Sequence, residues 1–338
     1  MKIIRCLFLF IFVLQSHAQI SDFETIDFKK ADRIALEYKN ERLDKLPELV
    51  HKLTSNLTTD VERFRAIFTW VCNNIANDYG MYSKNMRKRQ RFKNDSVKLE
   101  NWNTEFRKAT LKKLLKNNRT ICTGYAYLLK ELANLANIEC EMVHGFAKTS
   151  TINIESLDMP NHTWNAVRLN GKWYLCDPTW ASGIPNPETF QFQFLYNDGF
   201  FLANPKLFVI DHFPVDEKWL LLDDINTSSF ETFIESPIIY GQAYANLSNH
   251  IQPKKMHNTI QKNEKITFKF QLLKPANAKD VTLLIDSGNN SKTIRPESTV
   301  VKNESLTFEY KFKYTGFYDV HFLLGDDLIS TYTFKVKS

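Results

Sequence analysis

His162-Thr-Trp164-Asn-Ala-Val167-Arg-Leu169-Asn170-Gly171-Lys172-Trp-Tyr174-Leu-Cys176-Asp177-Pro-Thr-Trp180 is the stretch that decides how this chain folds. Asn-Gly between two strand-forming runs is the strongest short hairpin signal, because a type I′ turn needs positive φ at both central positions. A two-residue turn at Asn170-Gly171 pairs Leu169 with Lys172, Val167 with Tyr174, and Trp164 with Asp177. Side chains alternate faces along a strand, so His162 shares the face of Trp164 and therefore that of Asp177. The two become diagonal cross-strand neighbours, with backbones roughly 7–8 Å apart and side chains within reach. The same parity turns Cys176 to the opposite face.

An imidazole beside a carboxylate raises the question of a third partner. Upstream stands Thr120-Ile-Cys122-Thr-Gly124-Tyr125-Ala126. From Cys122 onward Tyr125, Ala126, Leu129, Leu132, Ala133 and Ala136 recur at helical spacing, which puts Cys122 at the start of a helix and on its apolar face. The positive end of the helix dipole there would stabilise a thiolate. A thiol attacks as thiolate, an imidazole takes its proton, and a carboxylate fixes the imidazole's tautomer and supports its charge. A lone cysteine is often a small core residue, but Cys122 with His162 and Asp177 has the parts of an acyl-transfer site. His144 is a rival base with no acidic partner on its own face except across the sheet, and reads as structural. His162, Cys122, Asp177 and His144 lack the paired spacings of a zinc site, so neither a metal nor another cofactor is expected.

At these residues the chain resembles the transglutaminase-like superfamily, and within it the kyphoscoliosis-peptidase type. The resemblance rests on Cys122-x-Gly124-Tyr125-Ala126, Ala136-Asn-Ile-x-Cys140, Val143-x-Gly145, and the block from His162 to Trp180. It extends upstream to Arg65-Ala-Ile-Phe-Thr-Trp70-Val-Cys-Asn-Asn-Ile75 and downstream to Phe208-Val-Ile-x-His212-Phe-Pro214 with Lys218-Trp219. It covers roughly residues 60–222, and the hairpin block is its most specific part. It implies a papain-like α+β core with Cys122 as nucleophile, His162 as base and Asp177 as orienting acid. The family commonly carries glycine shortly before the cysteine, where this chain has Asn118-Arg119-Thr120.

Composition is that of a folded protein: 338 residues, 43% hydrophobic and 24% charged, long enough for two domains. Lys2 and Arg5 precede an apolar run at 7–14, and Ser16-His17-Ala18 resembles a small-residue cleavage site. Residues 1–18 are therefore expected to be a secretory signal peptide, too short to span a membrane, and the protein to be exported, to a periplasm or the extracellular space if bacterial. No later run has spanning length. Without residues 1–18 the charge falls from +6 to +4, too mild to name a partner. Cys72, Cys122, Cys140 and Cys176 remain, and a nucleophilic Cys122 leaves three that cannot all pair, so few or no disulfides are expected.

Helices are expected at 28–38 and 46–53, and a stronger one after the capping-box pair Thr59 and Glu62. A basic segment at 84–119 holds thirteen Lys/Arg against Asp95, Glu100 and Glu105, with a helix near 105–116. It could steer acidic substrate toward Cys122, although such runs are usually solvated insertions. Its aromatics are not interleaved as a nucleic-acid platform requires. Residues 139–146 read as a strand, and 181–223 as a loop-rich closing segment packed by Phe190, Phe192, Phe194 and Phe208. Beyond 226 strict alternation, as in Ile266, Phe268, Phe270, Leu272 and in Leu306, Phe308, Tyr310, Phe312, predicts an all-β immunoglobulin-like sandwich.

The expectation is thus a catalytic domain at 19–225 and a β-sandwich at 226–338, the whole an α+β cysteine enzyme acting on amides. Its partner would be a protein or peptide, a cell-envelope peptide being one candidate, and not a nucleic acid. Trp102 is the side-chain candidate for stabilising the oxyanion beside the Cys122 backbone N–H. Two other readings compete: a cross-linking transferase, and a binding protein that has lost activity. The intact set of Cys122, His162 and Asp177 favours the enzyme.

Overall fold

The computed structural model describes residues 19–150, 157–186, 188–222, 228–288 and 290–338. The expected leader and the expected boundary at 225/226 lie outside them. Among the described residues no helix is long and apolar enough to cross a membrane.

The architecture is mixed α+β. Helices α1 (Lys29–Glu37) and α2 (Leu46–Thr54) flank α3 (Asp60–Asn74). Thr59 and Glu62 close a reciprocal capping box at the start of α3, satisfying two N–H groups that would otherwise lack partners. Eleven of its fifteen residues are buried, so α3 is the central helix of the core. Arg65, only 5% exposed, reaches from α3 to Asp32 at 2.6 Å and to Asp198, fixing α1 and the 198 loop to one cation.

Strand β1 (Ala76–Asn77) leads into two helices that the sequence signals only in part, α4 (Tyr79–Phe92) and α5 (Ser96–Asn117). No residue of α4 is buried, and α5 buries Thr110 and Leu114. The apolar stripe that usually reveals a helix is therefore weak here. Their starts are set by side-chain caps: Asp78 accepts from the Met81 N–H and Asp95 from the Lys98 N–H, each at 3.0 Å. Asn118 ends α5 in the left-handed conformation (φ 48°), a position that glycine often fills.

Strand β2 (Arg119–Thr120) then pairs in parallel with β1 and delivers the chain to α6 (Cys122–Leu135). Helix α6 packs against an antiparallel sheet with strand order β5-β4-β3-β8, built from β3 (Cys140–Ala147), β4 (His162–Leu169), β5 (Lys172–Cys176) and β8 (His212–Pro214). Between β5 and β8 run α7 (Pro178–Ser182), the pair β6 (Gly183–Pro185) and β7 (Phe192–Phe194), and α8 (Pro205–Phe208). The expected packing of this closing segment is corrected in part. Phe208 is buried, but Phe190 and Phe194 are 49% and 47% exposed, and the buried aromatics beside Phe208 are Phe200 and Phe201. The segment carries its apolar residues on both of its surfaces, so the count of phenylalanines does not reveal which side meets the core.

After α9 (Phe230–Glu235) and β9 (Ile238–Ile239) the chain is all β. One sheet orders β10 (Leu247–Gln252), β12 (Lys265–Leu272), β16 (Ser305–Lys311) and β15 (Ser298–Lys302). The other orders β11 (His257–Gln261), β18 (Asp327–Lys337), β17 (Gly316–Leu324), β13 (Val281–Asp286) and β14 (Ser291–Ile294), with β9 also on β18. The sheets are antiparallel apart from the parallel β11–β18 pair. Ile266, Phe268, Phe270 and Leu272 are all buried, as the alternation requires. Phe268 and Phe308 stack at 4.9 Å, and Phe270 meets Phe322 of the facing sheet at 4.8 Å.

The two parts share one core. Phe200 packs on Tyr244 with ring centres 4.3 Å apart. Lys148, 1% exposed after β3, donates to the carbonyls of Phe233 (2.8 Å) and Ser236 (2.6 Å) at the C-terminal end of α9, where a helix favours a cation. Burial pushes its ammonium down to about 7, with Asp211 opposing.

Candidate active site

The hairpin places the imidazole and carboxylate as its parity requires. Asn170 and Gly171 take φ of 50° and 83°, and the register runs Leu169↔Lys172, Val167↔Tyr174 and Asn165↔Cys176. Asp177 follows one residue beyond β5, and its Oδ2 lies 2.7 Å from His162 Nε2. His162 is 8% exposed and Asp177 fully buried.

Asp177 also caps α7, its Oδ1 accepting from the N–H groups of Thr179 (2.8 Å) and Trp180 (3.1 Å). The carboxylate is thus clamped by two backbone donors on one oxygen and meets imidazoles with the other. Burial works against its charge, but His162 and His212 outweigh it and hold Asp177 well below the usual carboxylate range. Burial likewise opposes a charged His162. The Asp177 carboxylate and the Cys122 thiol reverse that, lifting the imidazole to about 10.

Cys122 is the first residue of α6 and 6% exposed, and its thiol lies beside the His162 imidazole and supports its charge. Asp177 occupies Nε2, which leaves Nδ1 as the ring nitrogen available to the thiol. The approach to Cys122 is tightly specified. A Cβ on Gly124 would fall 1.9 Å from Thr120 Oγ1, so only glycine lets Thr120 lie against the first turn. Tyr125 hydrogen-bonds through its hydroxyl to the Ile75 carbonyl and accepts from Ser182 Oγ at 3.1 Å.

The other described cysteines are free and buried, and differ from Cys122 in having no imidazole partner. Burial pushes the Cys140 thiol up to about 12 and those of Cys72 and Cys176 well above their ordinary value. Cys176 pairs across the hairpin with Asn165, whose amide donates to the Ala126 carbonyl at 2.9 Å in the packing under α6.

A second histidine completes the centre. His212 on β8 is 1% exposed, with Nε2 3.2 Å from Asp177 Oδ2 and Nδ1 2.7 Å from Asp211 Oδ1. The Tyr244 hydroxyl, from the C-terminal part, donates to the same Asp211 oxygen. Phe208 stacks on the His212 ring at 3.9 Å and Trp180 meets it at 4.3 Å. Hydrogen bonds therefore run from Tyr244 through Asp211, His212 and Asp177 to His162, beside which Cys122 stands. The sequence marks His212 through the Phe208-Val-Ile-x-His212-Phe-Pro214 match and the acid before it, without assigning it a role, and nothing local distinguishes Tyr244.

His162, Asp177 and His212 are the one group of described residues with the donor types and proximity to hold a metal ion. Imidazole-to-carboxylate distances of 2.7 and 3.2 Å are hydrogen bonds, which a cation about 2.0 Å from each ligand would have to break.

A cleft of about 860 Å³ opens over Cys122 and His162. Its walls come from α4 (Tyr82, Arg87), from Trp180 and Phe190, and from Ile239 and Tyr240 of the C-terminal part. Trp102 is not among the lining residues. Its Nε1 donates to Asn85 Oδ1 at 2.9 Å on the outer helices, so the expected oxyanion role is corrected. Tyr82 stands nearer, its phenol held above its ordinary value by burial and by Cys122.

Residues 47–178 match the transglutaminase-like superfamily. That segment belongs to the superfamily. Human kyphoscoliosis peptidase is 37% identical over 182 residues, which is 52% of this chain and 24% of that protein. Hillarin of Drosophila melanogaster is 25% identical over 215 residues, 59% of this chain and 23% of its own. The chain thus spans about a quarter of the length of these relatives. The structure of the Lin-41 filamin domain overlaps 23% of this chain and 82% of its own, at 16% identity and a TM-score of 0.19, too weak a likeness to argue from.

Proposed function

We propose that this chain is an exported cysteine enzyme that hydrolyses amide or peptide bonds through Cys122, His162 and Asp177. The observation that carries the reading is the His162 imidazole bonded to a buried, clamped carboxylate and standing beside the first thiol of a helix, in one cleft. Kinship with a protein named a peptidase supports it. The finer architecture we read is a papain-like catalytic unit at 19–225 followed by an immunoglobulin-like module at 226–338.

In this reading His162 holds the proton of Cys122, and the thiolate sulfur attacks the carbonyl carbon of the substrate amide. The oxyanion is met by the Cys122 backbone N–H, which the Ile121 cap leaves without a side-chain partner, and by the Tyr82 hydroxyl. Collapse breaks the C–N bond as His162 gives its proton to the departing amine, leaving a thioester. Water, losing a proton to His162, then attacks the thioester, and the thiolate departs to release a carboxylic acid. Asp177 keeps Nε2 protonated and the ring oriented throughout. Transfer to an amine would have to outcompete water at about 55 M, which needs a shielded acceptor channel. We therefore favour hydrolysis over cross-linking.

The leader at 1–18 supports export, and a cell-envelope polypeptide is one substrate it would reach. The test is labelling with a peptide chloromethyl ketone followed by mass spectrometry, together with turnover of a peptide library. Modification confined to Cys122 and hydrolysis abolished by Cys122→Ala are expected. Full hydrolysis by Cys122→Ala protein would overturn the reading, and predominant amine adducts under excess primary amine would turn it to transfer.

A further inference from the structure

We propose that the cleft takes an acidic polypeptide, whose carboxylates beside the scissile amide are met by a cationic stripe on α4. The inference rests on the acyl-transfer reading for the amide, and on independent observations for the charge.

The first observation is the distribution of charge along the chain. Residues 79–119 carry thirteen Lys/Arg against three acids, an excess of ten in a chain whose total is +6, so the remainder carries a net −4. The protein's positive charge is therefore concentrated on α4, α5 and the turn into β2, the helical pair beside the thiol. Such an asymmetry draws anions toward one face and raises their encounter rate.

The second is which of these cations are already engaged. Lys93 pairs with Asp158, Lys98 with Asp95, Lys108 with Glu105 and Lys113 with Asp78, while Arg89 donates to the Pro160 carbonyl. Lys84, Arg87, Lys88 and Arg91 have no carboxylate partner among the described residues. They stand at i, i+3, i+4 and i+7, which is one face of a helix. Three of the four (Lys84, Arg87 and Arg91) are exposed, and Lys88 lies 5.5 Å over the Phe92 ring.

The third is where the stripe leads. The neighbouring face of α4, with Tyr79, Tyr82, Ser83 and Met86, lines the cleft, and Arg87 stands at the edge common to both faces. Among the described residues the cleft wall contains Arg87, Lys148 and His162 and no carboxylate. Lys148 is committed to Phe233 and Ser236 and His162 to Asp177, whereas Arg87 spends only its Nε, on the Ser83 carbonyl at 3.4 Å, and keeps its terminal nitrogens for substrate. A guanidinium suits a carboxylate because its fork can bind both oxygens. The aromatic wall, by contrast, suits an apolar side chain at the bond to be cut. A polypeptide with acidic residues around an apolar one meets both features, and a lipid surface would meet only the stripe.

The experiment uses full-length Cys122→Ala protein and two rhodamine-labelled hexapeptides that differ only in carrying glutamate or lysine around a Phe-Gln core. The acidic peptide should bind on the order of tenfold more tightly at low salt, and the difference should shrink as salt shortens the screening length. It should also collapse when Lys84, Arg87, Lys88 and Arg91 are all changed to glutamine, positions that bury no side chain and should leave the thermal midpoint near its original value. Equal binding of both peptides, a preference that survives the fourfold change, or binding to phosphatidylserine vesicles and to neither peptide would overturn the proposal. Wild-type turnover of both peptides without charge preference would likewise sink it while leaving the enzyme intact. Preference for the acidic peptide with no turnover by the wild type would instead sustain the proposal and sink the enzymatic reading.

Discussion

Replacing Asp177 with asparagine tests the centre most directly, because each of its oxygens has a separate task. The asparagine carbonyl can keep the cap on Thr179 and Trp180, but its amide then faces His162 Nε2 at the 2.7 Å contact. A donor there forces the imidazole to present a lone pair at Nε2 and its proton at Nδ1, toward the thiol, where it can no longer accept the Cys122 proton. The carboxylate that lifts His162 to about 10 is also gone, while the burial that lowers it remains. The imidazole should then fall toward its unperturbed value of about 6.5, with the Cys122 thiol still raising it and burial lowering it, so at pH 7.5 on the order of a tenth stays charged, against nearly all in the wild type. The alkylation rate of Cys122 by iodoacetamide at pH 7.5 should fall at least about tenfold and its pH profile move upward. Stability should respond with a definite sign. His162 is lifted, so its share is complete below about 6.5, the unfolded value, and fades as pH rises through about 10. Asp177 is held down, so its share is complete above about 3.9 and is lost as pH falls. The difference in thermal midpoint between wild type and Asp177→Asn should therefore be largest between about pH 4 and 6.5 and shrink toward pH 10. A folded variant that alkylates at the wild-type rate at pH 7.5 would refute the assignment of Asp177.

Three further substitutions probe the surroundings. Cys176→Ser should leave Cys122 alkylation within about twofold while costing about 1–3 kcal/mol in urea unfolding, since it adds a buried hydroxyl with no assigned partner; a large kinetic loss in folded protein would put Cys176 at the site. Gly145→Ala would set a Cβ 2.3 Å from the Phe213 carbonyl and 2.4 Å from the Trp164 ring, prising β3 from β8; a loss of roughly 1–3 kcal/mol is expected, and an unchanged midpoint would contradict the packing. His212→Gln removes an imidazole from Asp177 without touching the cleft, so peptide hydrolysis should show a lower kcat and a shifted acid limb with KM nearly constant; a change in KM alone would argue against its acting through Asp177.

How much of this was legible varies by element. The hairpin was readable because its determinants are local: Asn170-Gly171 fixes the turn, and a period of two fixes the face of every side chain that follows. The register and the His162–Asp177 contact follow from those two facts. Cys122 at a helix start was readable from the apolar spacing after it. Helix α4 was missed because none of its residues is fully buried, and its cap at Asp78 was the signal that could have found it. Phe190 and Trp102 misled for the opposite reason. An aromatic residue announces apolar area but not which neighbour will cover it, and here Phe190 lines the cleft while Trp102 bonds to Asn85 on the outer helices.

The sequence by itself determined the chemistry at hand, a thiol at a helix start and an imidazole matched to a carboxylate by strand parity, because each depends on residues a few positions apart. Only the tertiary structure decided what surrounds that chemistry. His212 reaches Asp177 from another strand, Tyr244 reaches Asp211 from the C-terminal part, and Ile239 and Tyr240 close a cleft whose other wall is α4. These are contacts between segments far apart in the chain, set by how helices and sheets pack around a shared core, and no local periodicity encodes which distant side chains will meet.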